Sequence, residues 1–146
     1  MAHVRKQVRD WLKAHLVGSA EAEDRVEVRR ALPTEKNLRP TLLIAVQNEQ
    51  SQDDGQGGSQ QRAIAVRITA VAKGDAEATE DTLDALGVFV ERQIAADPTL
   101  GGIAATFEYQ STEFAFASEA ERTLCAAALT FVILVYTDRI DPEHAA

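Results

Sequence analysis

The run Arg122-Thr-Leu-Cys-Ala-Ala-Ala-Leu-Thr-Phe-Val-Ile-Leu-Val-Tyr-Thr-Asp138 decides the fold. No charged residue occurs from Thr123 to Thr137. Alternate positions place Cys125, Ala127, Leu129, Phe131, Ile133 and Val135 on one side. Leu124, Ala126, Ala128, Thr130, Val132, Leu134 and Tyr136 fall on the other. Strand side chains alternate with a period of two, and the β-branched and aromatic residues of the second half suit a pleated surface. A membrane-spanning helix needs roughly 20 apolar residues, more than this run supplies. The run therefore reads as one long central strand. Both of its sides are apolar, so both need cover: a helix on one, and a second helix or another subunit on the other.

The neighbouring segments extend the sheet. Ala104–Phe116 reads as the preceding strand, turned back through Ser118–Glu121. Its aromatic residues change parity between Phe107/Tyr109 and Phe114/Phe116, which predicts a bulge or bend. Further upstream, Thr41–Gln47 and Ala63–Lys73 alternate apolar and polar residues and predict a hairpin. Its tip, Asn48–Gln61, contains only Asn, Glu, Gln, Ser, Asp and Gly. Such a segment cannot bury enough surface to offset its ordering entropy, so a mobile tip is expected.

Two helices complete the pattern. Val4, Val8, Trp11, Leu12 and Leu16 recur at helical spacing and predict a first helix over about 3–17, closed by Gly18. Leu83, Leu86, Val90 and Ile94 do the same over about 76–96. There Asp75 offers a cap, Glu77 and Glu80 favour the positive end of the helix dipole, and Asp97-Pro98 ends the helix. Arg25–Arg30 alternates Val26 and Val28 with charges, as an edge strand or extended arm does. Residues 139–146 are polar and read as a frayed tail. The order helix, short strand, hairpin, helix, hairpin predicts one α+β domain over residues 1–146, with a mainly antiparallel sheet of four to five strands and two helices.

A chain of 146 residues buries enough surface to fold without disulfides or metal. Its single cysteine, Cys125, lies within the central strand and reads as a small buried apolar residue. The opening residues lack the basic end and apolar block of a signal peptide, so synthesis and folding in a cytoplasm are expected. Net charge is −8 and uneven: residues 1–39 hold nine Lys/Arg and six Asp/Glu, and residues 40–146 hold six and seventeen. The acidic body disfavours nucleic-acid binding. The asymmetry reads either as a plain solvated surface, the commoner cause, or as complementary surfaces for head-to-tail assembly of identical subunits. Arg5, Lys6 and Arg9 on the first helix are candidate interface residues, with packing of that helix on the sheet preferred over a membrane contact.

Motifs for chemistry are sparse. His3, His15 and His144 have no partner at metal-ligand spacing. Asp75, Glu77, Glu80, Asp81 and Asp84 spread round a helix and read as a solvated face rather than a metal site. Asp53-Asp54-Gly55-Gln56-Gly57-Gly58 lacks the Lys-Ser/Thr of a P-loop and the ligand pattern of an EF-hand. Neither Cys125 nor any serine has a base partner legible in the sequence. A non-enzymatic protein without a cofactor or metal is the expectation.

The element order and several local runs resemble a known family. The runs are the first helix ending near His15-Leu16, the Leu-Arg-Pro-Thr-Leu-Leu-Ile-Ala-Val sequence at Leu38–Val46, and the Gln/Asp-rich tip. They continue with the alternating strand Arg62–Val71, the acidic-start helix Glu77–Ile94, and the apolar ending Leu129–Tyr136. Across residues 3–137 the chain resembles the tail terminator proteins of long-tailed bacteriophages, typified by the minor tail protein U of phage lambda. That resemblance implies a structural virion protein, assembled in the host bacterial cytoplasm. It implies a ring, usually a homohexamer, that caps the tail tube, ends its polymerisation and presents a head–tail joining surface. Its partners would be itself, the tail tube protein and a head connector or completion protein. DNA would pass through the channel without specific binding, and no membrane is involved. The family has no catalytic signature, so no functional residue carries over. The Asn48–Gln61 tip is longer than the family pattern. It reads either as a passive loop or as a recognition element, with Asp53 and Asp54 as candidate channel or interface residues. Two other readings stand beside this one: another head–tail connector or tail-completion protein, and a small-molecule-binding or enzymatic α+β domain.

Overall fold

The computed structural model describes residues 2–33, 38–53, 58–119, 122–138 and 141–145. The architecture is α+β. Helices α1 (Val4–His15) and α2 (Ala76–Ala96) accompany strands β1 (Val26–Val28), β2 (Thr41–Asp53), β3 (Ser59–Gly74), β4 (Thr106–Glu119), β5 (Arg122–Asp138) and β6 (Asp141–Ala145). The strands make one sheet in the order β1-β2-β3-β5-β4, with β6 paired to the end of β5. Every pairing is antiparallel except that of β1 with β2.

β5 is the central strand that its composition predicts. It pairs with β3 from Gly74↔Thr123 to Ser59↔Asp138, and with β4 along its other edge. One parity of β5 is buried beneath the helices: Cys125, Ala127, Leu129, Phe131, Ile133 and Val135. These side chains meet Val4, Val8, Leu12 and Leu16 of the α1 region and Leu83, Leu86, Val90 and Ile94 of α2 in one core. Burying a leucine or phenylalanine there stabilises the fold by about 1.5–3 kcal/mol relative to exposure. The ends of the two helices are tied together, because Gln93 Nε2 donates to the His15 carbonyl at 2.7 Å. Gly101 follows α2 at φ 69°, a backbone shape that favours glycine, and a Cβ there would lie 3.3 Å from Trp11 Nε1.

Both helices lie against the same face, where the sequence had allowed one on each. Their apolar stripes share the core with a single parity of β5. Among the described residues the second face is covered only in part, by Leu38 and its neighbours just before β2. Leu38 packs with Leu43, Val71 and Ala126, and the Leu38 carbonyl accepts from the Lys73 backbone N–H. Farther along β5, Thr130, Val132, Leu134 and Tyr136 are half-buried.

The β2–β3 hairpin runs farther than its apolar pattern indicates. Asn48–Asp53 and Ser59–Gln61, expected in the mobile tip, belong to strands and pair from Asn48↔Ala65 to Asp53↔Gln60. Polar cross-strand contacts support this extension, among them Gln52 Nε2 donating to Gln61 Oε1 at 3.2 Å. Residues 54–57 of the tip lie outside the described residues. The tail also differs from its reading as frayed. β6 pairs with β5, and the Glu143 carbonyl accepts from Gln7 Nε2 at 2.7 Å, tying the tail to α1. That sixth strand takes the sheet beyond the four to five expected.

The change of aromatic parity in β4 is a bulge. The register with β5 shifts between Tyr109 and Ser111. Phe107 and Tyr109 lie opposite Ile133 and Phe131, whereas Phe114 and Phe116 lie opposite Ala127 and Cys125. All four partners belong to the helix-facing parity of β5, so the bulge brings all four aromatic residues to one face.

Candidate assembly surfaces

α1 buries Val4, Val8 and Leu12 and turns its charged residues outward. His3 caps the helix: its Nδ1 accepts from the Arg5 backbone N–H at 3.1 Å. Burial, and after it the Arg5 guanidinium, hold the His3 imidazole below its ordinary pKa. Arg5, Lys6 and Arg9 line a cleft of about 410 Å³ between α1 and β2, where Arg30 joins them. β1 ends at Val28 and covers β2 only from Leu42 to Ile44, so the cleft opens beside an uncovered stretch of β2.

Glu49 is the carboxylate of this cleft, and it is largely taken. Arg62 Nη1 donates to Glu49 Oε2 at 2.8 Å, and Arg5 Nε lies 3.8 Å from Oε1. Lys6 pairs with Asp10 at 2.6 Å, one helical turn away. Among the described residues, Arg9 and Arg30 make no ion pair. The cleft thus retains positive charge.

A second surface lies near the opposite edge of the sheet. Phe114 and Phe116 of β4 are 58% and 53% exposed. With Glu80, Leu83 and Asp84 of α2 they line a groove of about 320 Å³. Exposed aromatic residues at such levels need an explanation, because large apolar side chains left in water mark contact surfaces. A third, smaller cavity of about 210 Å³ lies over the second face, where Arg67 and Glu113 flank Ala45, Thr69 and Ala128.

Of the residues singled out in the sequence, Arg5, Lys6 and Arg9 do come together. Asp53 does not join them: it is exposed near the end of β2, four residues beyond Glu49, or roughly 13 Å along the strand. Asp54 lies outside the described residues. Arg30, Glu49 and the Phe114/Phe116 groove were not anticipated. The parity change in β4 held the signal for the groove, whereas the Arg5–Glu49 contact joins distant segments and has no local signature. Cys125 is buried, and burial raises its thiol pKa, so the reactive thiolate is disfavoured. Among the described residues there is no group of three metal-ligating side chains and no helix long and apolar enough to cross a membrane.

No protein-family model matches the chain, and no curated protein matches it in sequence. A solved structure of the virion of the native gene transfer agent (GTA) particle contains a chain of similar fold. The TM-score is 0.50 at 14% identity, and the match covers 92% of this chain and 92% of that one.

Proposed function

We propose that this chain is a structural virion protein, and within that class a tail terminator. In this reading it assembles as a homohexameric ring on the end of the tail tube, stops tube polymerisation and presents the surface that joins tail to head. It acts by contact rather than catalysis, without a cofactor. The observation that carries the reading is the fold shared over 92% of both chains with a chain of the virion of a gene transfer agent particle. The element order and local runs that resemble tail terminators support the narrower role. Three features of the molecule fit it. Basic and acidic-aromatic surfaces lie near opposite edges of the sheet, which suits contacts between copies. Thr130, Val132, Leu134 and Tyr136, on the second face of β5, are only half-buried. The net charge of −8 suits a channel through which DNA slides without adhering.

Deletion of the gene in a host that makes the particle tests the role. The terminator reading predicts tail tubes of uncontrolled length that do not join heads, corrected by the gene supplied in trans. Tails of normal length that fail to join would instead support the connector or completion reading. Particles with normal joined tails would overturn both.

A further inference from the structure

We propose that the two charged surfaces are the two halves of one contact between copies of this chain. The groove formed by Glu80, Asp84, Phe114 and Phe116 on one copy receives the cleft rim carrying Arg9 and Arg30 of the next. This deepens the ring reading, because it names the surfaces that would close the ring.

Arg9 and Arg30 make no ion pair among the described residues, and neither do Glu80 and Asp84. The basic pair borders the α1/β2 cleft, and the acidic pair borders the α2/β4 groove. Complementary potentials steer association and fix its register. The groove also supplies an apolar centre, since Phe114 and Phe116 are both more than half exposed. An arginine fits it on both counts, because its guanidinium can stack on a phenyl face while meeting a carboxylate. Aromatic residues and arginine are the side chains that most often dominate interface energies.

Topology supplies the geometry. The order β1-β2-β3-β5-β4 separates β2 from β4 by two intervening strands, or roughly 14 Å between their axes. The cleft and the groove are therefore different patches near opposite sheet edges, too far apart to satisfy each other within one molecule. A contact between two unlike patches is heterologous, and repetition of a heterologous contact generates a closed ring when the rotation allows it.

Two variants test this. Arg9→Glu/Arg30→Glu makes both surfaces acidic, and Glu80→Lys/Asp84→Lys makes both basic. Arg5 is left intact because it sits against Glu49. Circular dichroism establishes that each variant is folded, and sedimentation velocity at about 0.05 M and 0.5 M salt reads association. The wild-type protein is expected to self-associate, and about tenfold more weakly at the higher salt. Each folded variant alone should associate about tenfold more weakly or less. An equimolar mixture of the two should regain association, because one junction is then native and the next is its charge-reversed image. Phe114→Ser/Phe116→Ser, with all charges kept, should also lose association.

Wild-type protein that remains monomeric to about 1 mM at low salt would overturn the proposal. So would a mixture no tighter than its components, or a Phe114/Phe116 variant that associates like wild type. These results are separable from the terminator reading. Failed association with the deletion phenotype intact removes this contact alone, whereas restored association without any tail defect removes the terminator role alone.

Discussion

Arg62 joins three strands through one guanidinium, and Glu49 is its charged partner. From β3, its Nη1 donates to Glu49 Oε2 of β2 at 2.8 Å and its Nε donates to Thr137 Oγ1 of β5 at 3.0 Å. The two charged side chains are only 11% and 13% exposed. Removing Arg62 leaves the largely buried Glu49 carboxylate with only the longer Arg5 contact at 3.8 Å. Arg62→Ala should therefore cost about 3–5 kcal/mol in chemical denaturation. Arg62→Lys should recover only part of this, because an ammonium cannot reproduce the guanidinium fork. A denaturation midpoint unchanged by Arg62→Ala would show that the pair does not anchor the hairpin.

This relationship also explains where the sequence was legible and where it was not. β5, α1 and α2 follow from apolar period, because each buries one continuous stripe in the core. The parity change at Phe107/Tyr109 and Phe114/Phe116 revealed the β4 bulge because strand side chains alternate between two faces. The outer hairpin has no apolar stripe to read. Part of its support is Glu49 meeting an arginine thirteen positions away, itself bonded to a threonine seventy-five positions farther on. Long-range polar pairing leaves no local period, so Asn48–Asp53 resembled a loop. β6 escaped notice for a similar reason: its ladder is short, and its tie to α1 is a Gln7 side chain meeting the Glu143 carbonyl. Of the proposed assembly surfaces only the basic one was legible, because Arg5, Lys6 and Arg9 share one helix.

Phe131 tests the core. It is 1% exposed, and its ring centroid lies 5.2 Å from that of Tyr109 and 6.3 Å from that of Phe107. Phe131→Ala should cost about 3–5 kcal/mol, because the cavity lies between sheet and helices and can collapse only in part. Equilibrium urea unfolding gives the value. A cost below about 1 kcal/mol would mean that this side of β5 is not core.

His3 makes the start of α1 sensitive to acid. Its Nδ1 accepts the Arg5 N–H, a role that protonation at this atom ends. Its folded pKa is lowered, by burial first and then by Arg5. Below the ordinary histidine range the unfolded chain binds the proton more readily than the folded one. The associated stability is therefore present above that range and lost as pH falls through the lowered folded value. Hydrogen exchange should show the first turn of α1 opening more readily at pH 5 than at pH 7.5. His3→Asn retains a capping acceptor without a titrating ring and should remove that difference. Equal pH sensitivity in the variant would assign the effect to another group.

Cys125 should report opening of the sheet. Burial raises its thiol pKa, so the linked stability is full below the ordinary thiol range and is lost as pH climbs through the raised value. At pH 8 a thiol reagent should label the folded protein only as fast as β5 becomes exposed, and the rate should rise with denaturant across the unfolding transition. Rapid labelling without denaturant, at the rate of a free thiol, would show that this part of the sheet opens independently.

Electron cryomicroscopy of the particles that carry this protein would place it directly. A tail terminator should appear as six copies of this α+β fold in a ring on the end of the tail tube, between tube and head, with the α1/β2 cleft of each copy facing the α2/β4 groove of the next. A tube end closed by a different fold, with this chain elsewhere in the particle or missing from it, would contradict the account.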